Sequence, residues 1–131
     1  MAIRHAIDEE RRTLLLVFSG TVSGPEFMAF SAELYGARPE LFDYACILDL
    51  LDYEGDVGYA HLNPLQKMYE APPQPEACQR PGFIVTHDPN FHLWAAALDQ
   101  QFPGRKHYIV ATLAEAFSSL ERLRRRTAND A

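Results

Sequence analysis

The sequence predicts an α/β fold: a single-layer, mainly parallel β-sheet with an antiparallel first strand, in the order β-β-α-β-α-β-α-β-α. Three observations predict it. Short apolar runs alternate with stretches of helical period, the pattern of a parallel sheet whose strands are joined by helical crossovers. The first two runs are separated only by the polar Asp8-Glu-Glu-Arg-Arg12, a connection short enough for a hairpin. Serine, threonine and aspartate caps, two of them backed by proline, mark where helices start.

The first strand, Ile3 to Asp8, alternates: Ile3, His5 and Ile7 fall on one face, Arg4 and Asp8 on the other, as expected of a half-exposed edge. The second, Thr13 to Ser19, contains the continuous apolar run Leu14-Leu-Leu-Val-Phe18 of a strand covered on both faces. Ser23-Gly-Pro-Glu26 is a capping box with proline in the first helical turn. Phe27, Phe30 and Leu34 then form an apolar side, with the small Ser31 among them, until Gly36 and Pro39 end the helix.

A third strand, Tyr44 to Leu51, runs into the acidic stretch Asp52-Tyr-Glu-Gly-Asp56, expected to be a turn. A helical region follows from about 56 to 70, split by Pro64 into two short pieces. Residues 71–82 hold four prolines and form a stiff surface loop. Phe83 to Thr86 is a fourth strand, and Asp88-Pro89 opens a helix whose stripe is Phe91, Trp94, Ala95, Leu98 and Phe102. His107 to Ala111 is the last strand. Thr112-Leu-Ala-Glu115 is a second capping box, and Leu113, Ala116, Phe117, Leu120 and Leu123 give the final helix its core side.

These elements make one domain over residues 1–126, with 127–131 a frayed tail, a length within the usual range for a single core. The net charge of −6 opposes a nucleic-acid surface, which needs clustered positive charge to displace counterions. Arg122 and Arg124 to Arg126 suit the negative pole of the last helix and are expected to be a solvated face. No apolar run approaches a membrane span, and the N-terminus lacks the basic start and apolar stretch of a signal peptide. Cys46 and Cys78 have no metal or redox spacing. The expectation is a cytoplasmic protein with reduced thiols and no cofactor.

Four stretches are similar to those of a known family: Phe18-Ser-Gly-Thr-Val22, Ile47-Leu-Asp-Leu50, Gly82-Phe-Ile-Val-Thr-His-Asp88 and Ile109-Val-Ala-Thr-Leu-Ala-Glu-Ala-Phe117. Over residues 3 to 123 the chain resembles the small stand-alone bacterial STAS-like proteins, related in fold to anti-sigma-factor antagonists. In the antagonists, a serine or threonine starting the helix after the third strand is phosphorylated by a partner kinase. The corresponding stretch here is Asp56-Val-Gly-Tyr59, and no serine or threonine occurs from Tyr44 to Gln79. The resemblance therefore implies the scaffold and a binding role, without the phospho-switch.

In an open α/β sheet, ligands and partners meet the carboxyl ends of central strands. That places a candidate rim at Asp52, Tyr53, Glu54, Asp56, Tyr59 and His87. The carboxylates would suit a hard cation, yet their spacing matches no cation loop, and turn or cap roles explain them. His87, Asp88 and His92 would suit acid–base or metal chemistry if they converged with Asp52; Asp88 already has a role as a cap. Ser19-Gly-Thr-Val-Ser-Gly24 lacks the lysine and glycine spacing of a phosphate loop. Neither a catalytic set nor a metal set is assembled in the sequence.

Three functions follow, in this order. The first is a non-enzymatic interaction or regulatory module that binds a protein partner or its own copy as a homodimer. The second is a carrier of a small apolar or amphipathic ligand beneath the 56–70 region, edged by Tyr53, Tyr59, Met68, Tyr69 and the proline loop. The last is a hydrolase or lyase using His87 with Asp52.

Overall fold

The computed structural model describes residues 2–55, 57–69 and 80–130. Its strands are β1 (Ile3–Asp8), β2 (Thr13–Val22), β3 (Ala45–Gly55), β4 (Arg80–Val85) and β5 (Arg105–Val110). Its helices are α1 (Gly24–Ala37), α2 (Asn63–Met68), α3 (Phe91–Gln101) and α4 (Leu113–Asp130), with 3-10 turns at Pro39–Asp43 and Tyr59–Leu62. The element order is the one the sequence predicts.

One sheet holds all five strands in the order β1-β2-β3-β4-β5. β1 pairs antiparallel with β2, and every later pair is parallel. Parallel neighbours joined in chain order by right-handed crossovers put all crossover helices on one face. Accordingly Phe27 and Tyr35 of α1 and Ala95 and Leu98 of α3 cluster with Leu14, Leu16, Phe18, Leu50 and Ile84 on the front of the sheet, with Leu65 of α2 against them. α4 follows the last strand, is free of the crossover rule, and covers the back: Ala116 and Leu120 pack on Ala45, Ile47, Phe83, Val85 and Val110. Arg124 ties its far end to β2 through the Arg12 carbonyl and the Thr13 hydroxyl, at 3.3 and 3.2 Å. One of the four terminal arginines thus docks the helix.

The predicted caps form. The Ser23 hydroxyl accepts from the Glu26 amide at 3.2 Å, and the Thr112 hydroxyl from the Glu115 amide at 3.1 Å. Pro64 begins α2 after a 3-10 turn, giving the two short pieces expected. Two expectations differ. Asp88 does not cap a helix directly: its carboxylate accepts from the Asn90 amide at 2.9 Å, a local turn that delays α3 to Phe91. The acidic stretch after Leu51 is not a turn either. β3 continues to Gly55, pairing Asp52, Tyr53 and Glu54 with Ser19, Gly20 and Thr21 of an equally extended β2.

A register shift between Val17 and Ser19 accompanies that extension. Leu50 and Tyr53, three positions apart, would face opposite sides of a regular strand. The bulge resets the pleat. Both therefore join the front cluster, and the Tyr53 ring meets Phe18 edge-on at 5.6 Å.

Candidate functional site

The front face is not packed solid. A cavity of about 470 Å³ lies between the sheet and α1, α2 and α3. Small residues open it. Along one row across the sheet, Leu14, Cys46, Gly82 and His107 stand in register on β2 to β5. Cys46 and Gly82 leave the middle of that row low, and the buried Ser31 faces it from α1. Over the described residues of the β3–β4 crossover, the roof is the 3-10 turn and the six residues of α2, with Leu62, Leu65 and Tyr69 lining the cavity. Phe91, Trp94, Leu98 and Phe102 of α3 form one wall, and Phe27 and Tyr35 of α1 the other. Apolar side chains dominate the lining, as in sites that take small organic ligands.

Polar groups converge at one part of the wall. His107 Nδ1 lies 2.8 Å from Asp99 Oδ1, and the same oxygen accepts the His107 amide at 2.7 Å. Asp99 therefore fixes the neutral ring with its proton on Nδ1, and Nε2 is left as a lone pair. The side chain is only 10 % exposed. Burial lowers its pKa to about 4, against the opposing pull of the Asp99 hydrogen bond, so the ring is neutral at pH 7. The ring lies over Gly82: a Cβ there would come within 2.9 Å of Cδ2 and 3.3 Å of Nε2. Glycine is what lets the imidazole reach across β4 along the cavity floor.

Arg105, two residues earlier on the same face of β5, donates to the carbonyls of Phe42 and Tyr44 at 3.0 and 2.9 Å, and to Pro81 at 3.4 Å. Those partners are neutral, and no carboxylate pairs with Arg105 among the described residues. Its charge reaches the buried Tyr35 and the half-buried Cys46 and His107, opposing the rise that desolvation imposes on the phenol and thiol and adding to the fall of the imidazole. The Tyr35 ring stacks on Phe42 with centroids 4.2 Å apart, and its hydroxyl has no hydrogen-bond partner among the described residues.

The predicted rim divides. Tyr53 is half-buried, lines the cavity, and its hydroxyl accepts from the Val57 amide at 3.3 Å. Glu54 is exposed at the cavity edge, and Asp52 is exposed beside it. Asp56 lies outside the described residues. Tyr59 opens the 3-10 turn, and its side chain is likewise outside them. His87 is exposed, with Nε2 3.1 Å from the Ala111 carbonyl beyond β5. Asp52, on the opposite flank of β4, pairs with Ser19 of β2. No hydrogen bond or ion pair joins the two. His92 is exposed on α3, and no group of three metal-ligating side chains occurs among the described residues.

Asp99, His107, Tyr35 and Arg105 were not singled out in the sequence. Asp99 and His107 sit on different elements, eight residues apart, with no motif to join them. Gly82, at the end of the stretch expected to be the proline loop, lies inside β4, where a glycine marks close approach by another group.

No protein-family model matches the sequence, and no curated protein matches it at a significant level. Solved structures do match. A protein of the DUF3478 family with a SpoIIAA-like fold from Shewanella loihica aligns at a TM-score of 0.61 and 12 % identity, over 91 % of this chain and 92 % of that one. The anti-sigma factor antagonist SpoIIAA in its unphosphorylated form gives 0.56 and 12 %, over 94 % and 98 %. An anti-sigma factor antagonist from Mycobacterium paratuberculosis gives 0.51 and 19 %, over 91 % and 94 %. The fold is STAS-like. No helix among the described residues is long and apolar enough to cross a membrane.

Proposed function

We propose that this chain is a non-enzymatic STAS-like binding module whose front cavity takes a small apolar or amphipathic molecule. The observation that carries the reading is the cavity of about 470 Å³ where a core would otherwise close. Interiors normally pack at crystal density, and an open apolar cleft of that size leaves hydrophobic surface against water, which costs stability. A ligand removes the cost. At the ~30 Å³ that one water occupies in the liquid, the space suits roughly fifteen non-hydrogen atoms. Native mass spectrometry of gently purified protein tests it. A reproducible adduct of that size, lost on denaturation, is expected; bare protein together with no thermal stabilisation by a medium-chain apolar compound would overturn it, because selective binding to the native state must raise stability.

A second reading, a module for a protein partner or a second copy of the chain, is favoured by a separate feature. β3 runs past the end of β4 and presents Asp52, Glu54 and the 42 % exposed Leu51 at the sheet's rim. Two of the proteins of similar fold are anti-sigma factor antagonists by name. The same spectra address self-association: a dimer dispersed by Leu51→Asp supports this surface, and a monomer at all concentrations counts against the homodimer.

A further inference from the structure

The geometry points to a carboxyl seat at the polar wall of the cavity: the preferred ligand is a monocarboxylic acid with an apolar chain, bound together with one proton. The inference rests on the cavity being a ligand site and adds what the ligand's head must be.

Three groups define the seat. His107 Nε2 is an acceptor, because Asp99 holds the ring proton on Nδ1. The Tyr35 hydroxyl is a donor without a partner among the described residues, on a side chain only 7 % exposed. Arg105 supplies positive charge that no carboxylate neutralises among the described residues. Cys46 completes the surroundings as a half-buried thiol whose pKa is raised by desolvation, hence neutral. A methyl or methylene group at this wall would leave the Nε2 lone pair and the phenol without partners, and a hydrogen-bonding group left unpaired in an apolar site is costly. An amine would meet Arg105 with like charge. A carboxyl group suits the seat, because its oxygens can pair with the Tyr35 hydroxyl and with Nε2, and in its ionised form it is attracted by Arg105.

The proton follows from the same geometry. A carboxylate oxygen and the Nε2 lone pair are both acceptors and repel unless a proton lies between them. The proton resides on the oxygen or on Nε2. In both cases the balance is one carboxylate and one proton taken from water for each ligand bound. The seat is therefore sensitive to pH through the ligand, with Asp99, Arg105, Cys46 and Tyr35 as the ionisable groups around His107.

Decanoic acid and its methyl ester provide the test, with Trp94 on the cavity wall as the fluorescence reporter. The ester fills the cavity but supplies no proton and no charge. At pH 6 the acid is expected to bind at least about tenfold more tightly than the ester, the scale of a charge-assisted hydrogen bond. Its affinity should fall as pH rises from 6 to 8, by up to about tenfold per pH unit for as long as the bound pair keeps its proton, while the ester shows no slope. His107→Asn keeps an amide near the Nδ1 position for Asp99 and removes Nε2; it should abolish both the pH slope of the acid and its preference over the ester. Calorimetry of the unaltered protein in two buffers of different ionisation enthalpy reads the proton directly, whatever the variant's folding. Equal, pH-independent binding of acid and ester would overturn the carboxyl seat and leave the cavity reading standing. Binding of neither would overturn both.

Discussion

Lowering the pH from 7 to 4 should remove about 3 kcal/mol of folding stability through His107 alone. The imidazole's pKa falls from the ordinary 6.5 to about 4 in the folded chain, chiefly because burial penalises the charged ring and only partly because of Arg105, with Asp99 working in the opposite direction. A depressed histidine pKa means that the unfolded chain takes up the proton first. The contribution is complete above pH 6.5, shrinks as pH falls from 6.5 to 4, and changes no further below that, where both states carry the proton. Each tenfold difference in proton affinity is worth ~1.36 kcal/mol, which over this window gives the figure of about 3 kcal/mol. Urea unfolding at pH 7, 6, 5 and 4, followed by Trp94 fluorescence and far-ultraviolet dichroism, measures it. The same series on His107→Asn supplies the reference. Glu9 and Glu40, whose pKa values are held down by Arg38, also weaken in acid, but both proteins share that loss. The stability difference between the two proteins should shift by about 3 kcal/mol in the variant's favour on going from pH 7 to pH 4. Parallel pH profiles would show that the ring is hydrated and not sealed against Gly82 and Asp99.

Two further substitutions probe the cavity's construction. Gly82→Ala would place a Cβ 2.9 Å from His107 Cδ2, so the ring must move; overpacking of this kind costs about 1–3 kcal/mol, and denaturant unfolding should show it together with a loss of the pH effect above. Ser31→Leu adds apolar volume to the void from α1. It should raise the unliganded melting temperature, since filling a cavity adds contacts without removing any, and it should abolish the adduct in native spectra; a destabilised variant would mean that the space is already occupied by side chains in solution.

The fold was legible because it depends on local signals that agree with one another. The Ser23 and Thr112 caps, the Pro64 break and the stripe of Phe91, Trp94, Ala95, Leu98 and Phe102 each act within a few residues, and each appears where period and capping place it. The extension of β3 through Asp52 and Glu54 was not legible. Both residues are poor strand formers, and what holds them is pairing with Ser19 to Thr21, about thirty positions away in sequence, after a bulge. The polar wall was hidden for a similar reason. His107 is an ordinary strand residue and Asp99 an ordinary helix residue until α3 folds back on β5. Tyr53 was found because it follows a central strand, which is a topological rule and not a chemical one.

The functional reading rests on particular side chains more than on the likeness to other STAS-like folds. At 12–19 % identity that likeness fixes the path of the backbone and leaves the chemistry of the front face open. Serial strand order obliges α1, α2 and α3 to share one face, and any sequence with this topology meets that condition. It does not oblige the face to be hollow. The hollow depends on Ser31, Cys46 and Gly82 being small where they line it. The polar wall depends on Gly82 again, since the ring of His107 occupies the space a side chain would need. A single glycine thus both lowers the floor of the cavity and admits the group that would read a ligand's head. A STAS-like chain with branched apolar residues at those three positions would fold the same way with a filled front face, and it would have to act through its rim alone.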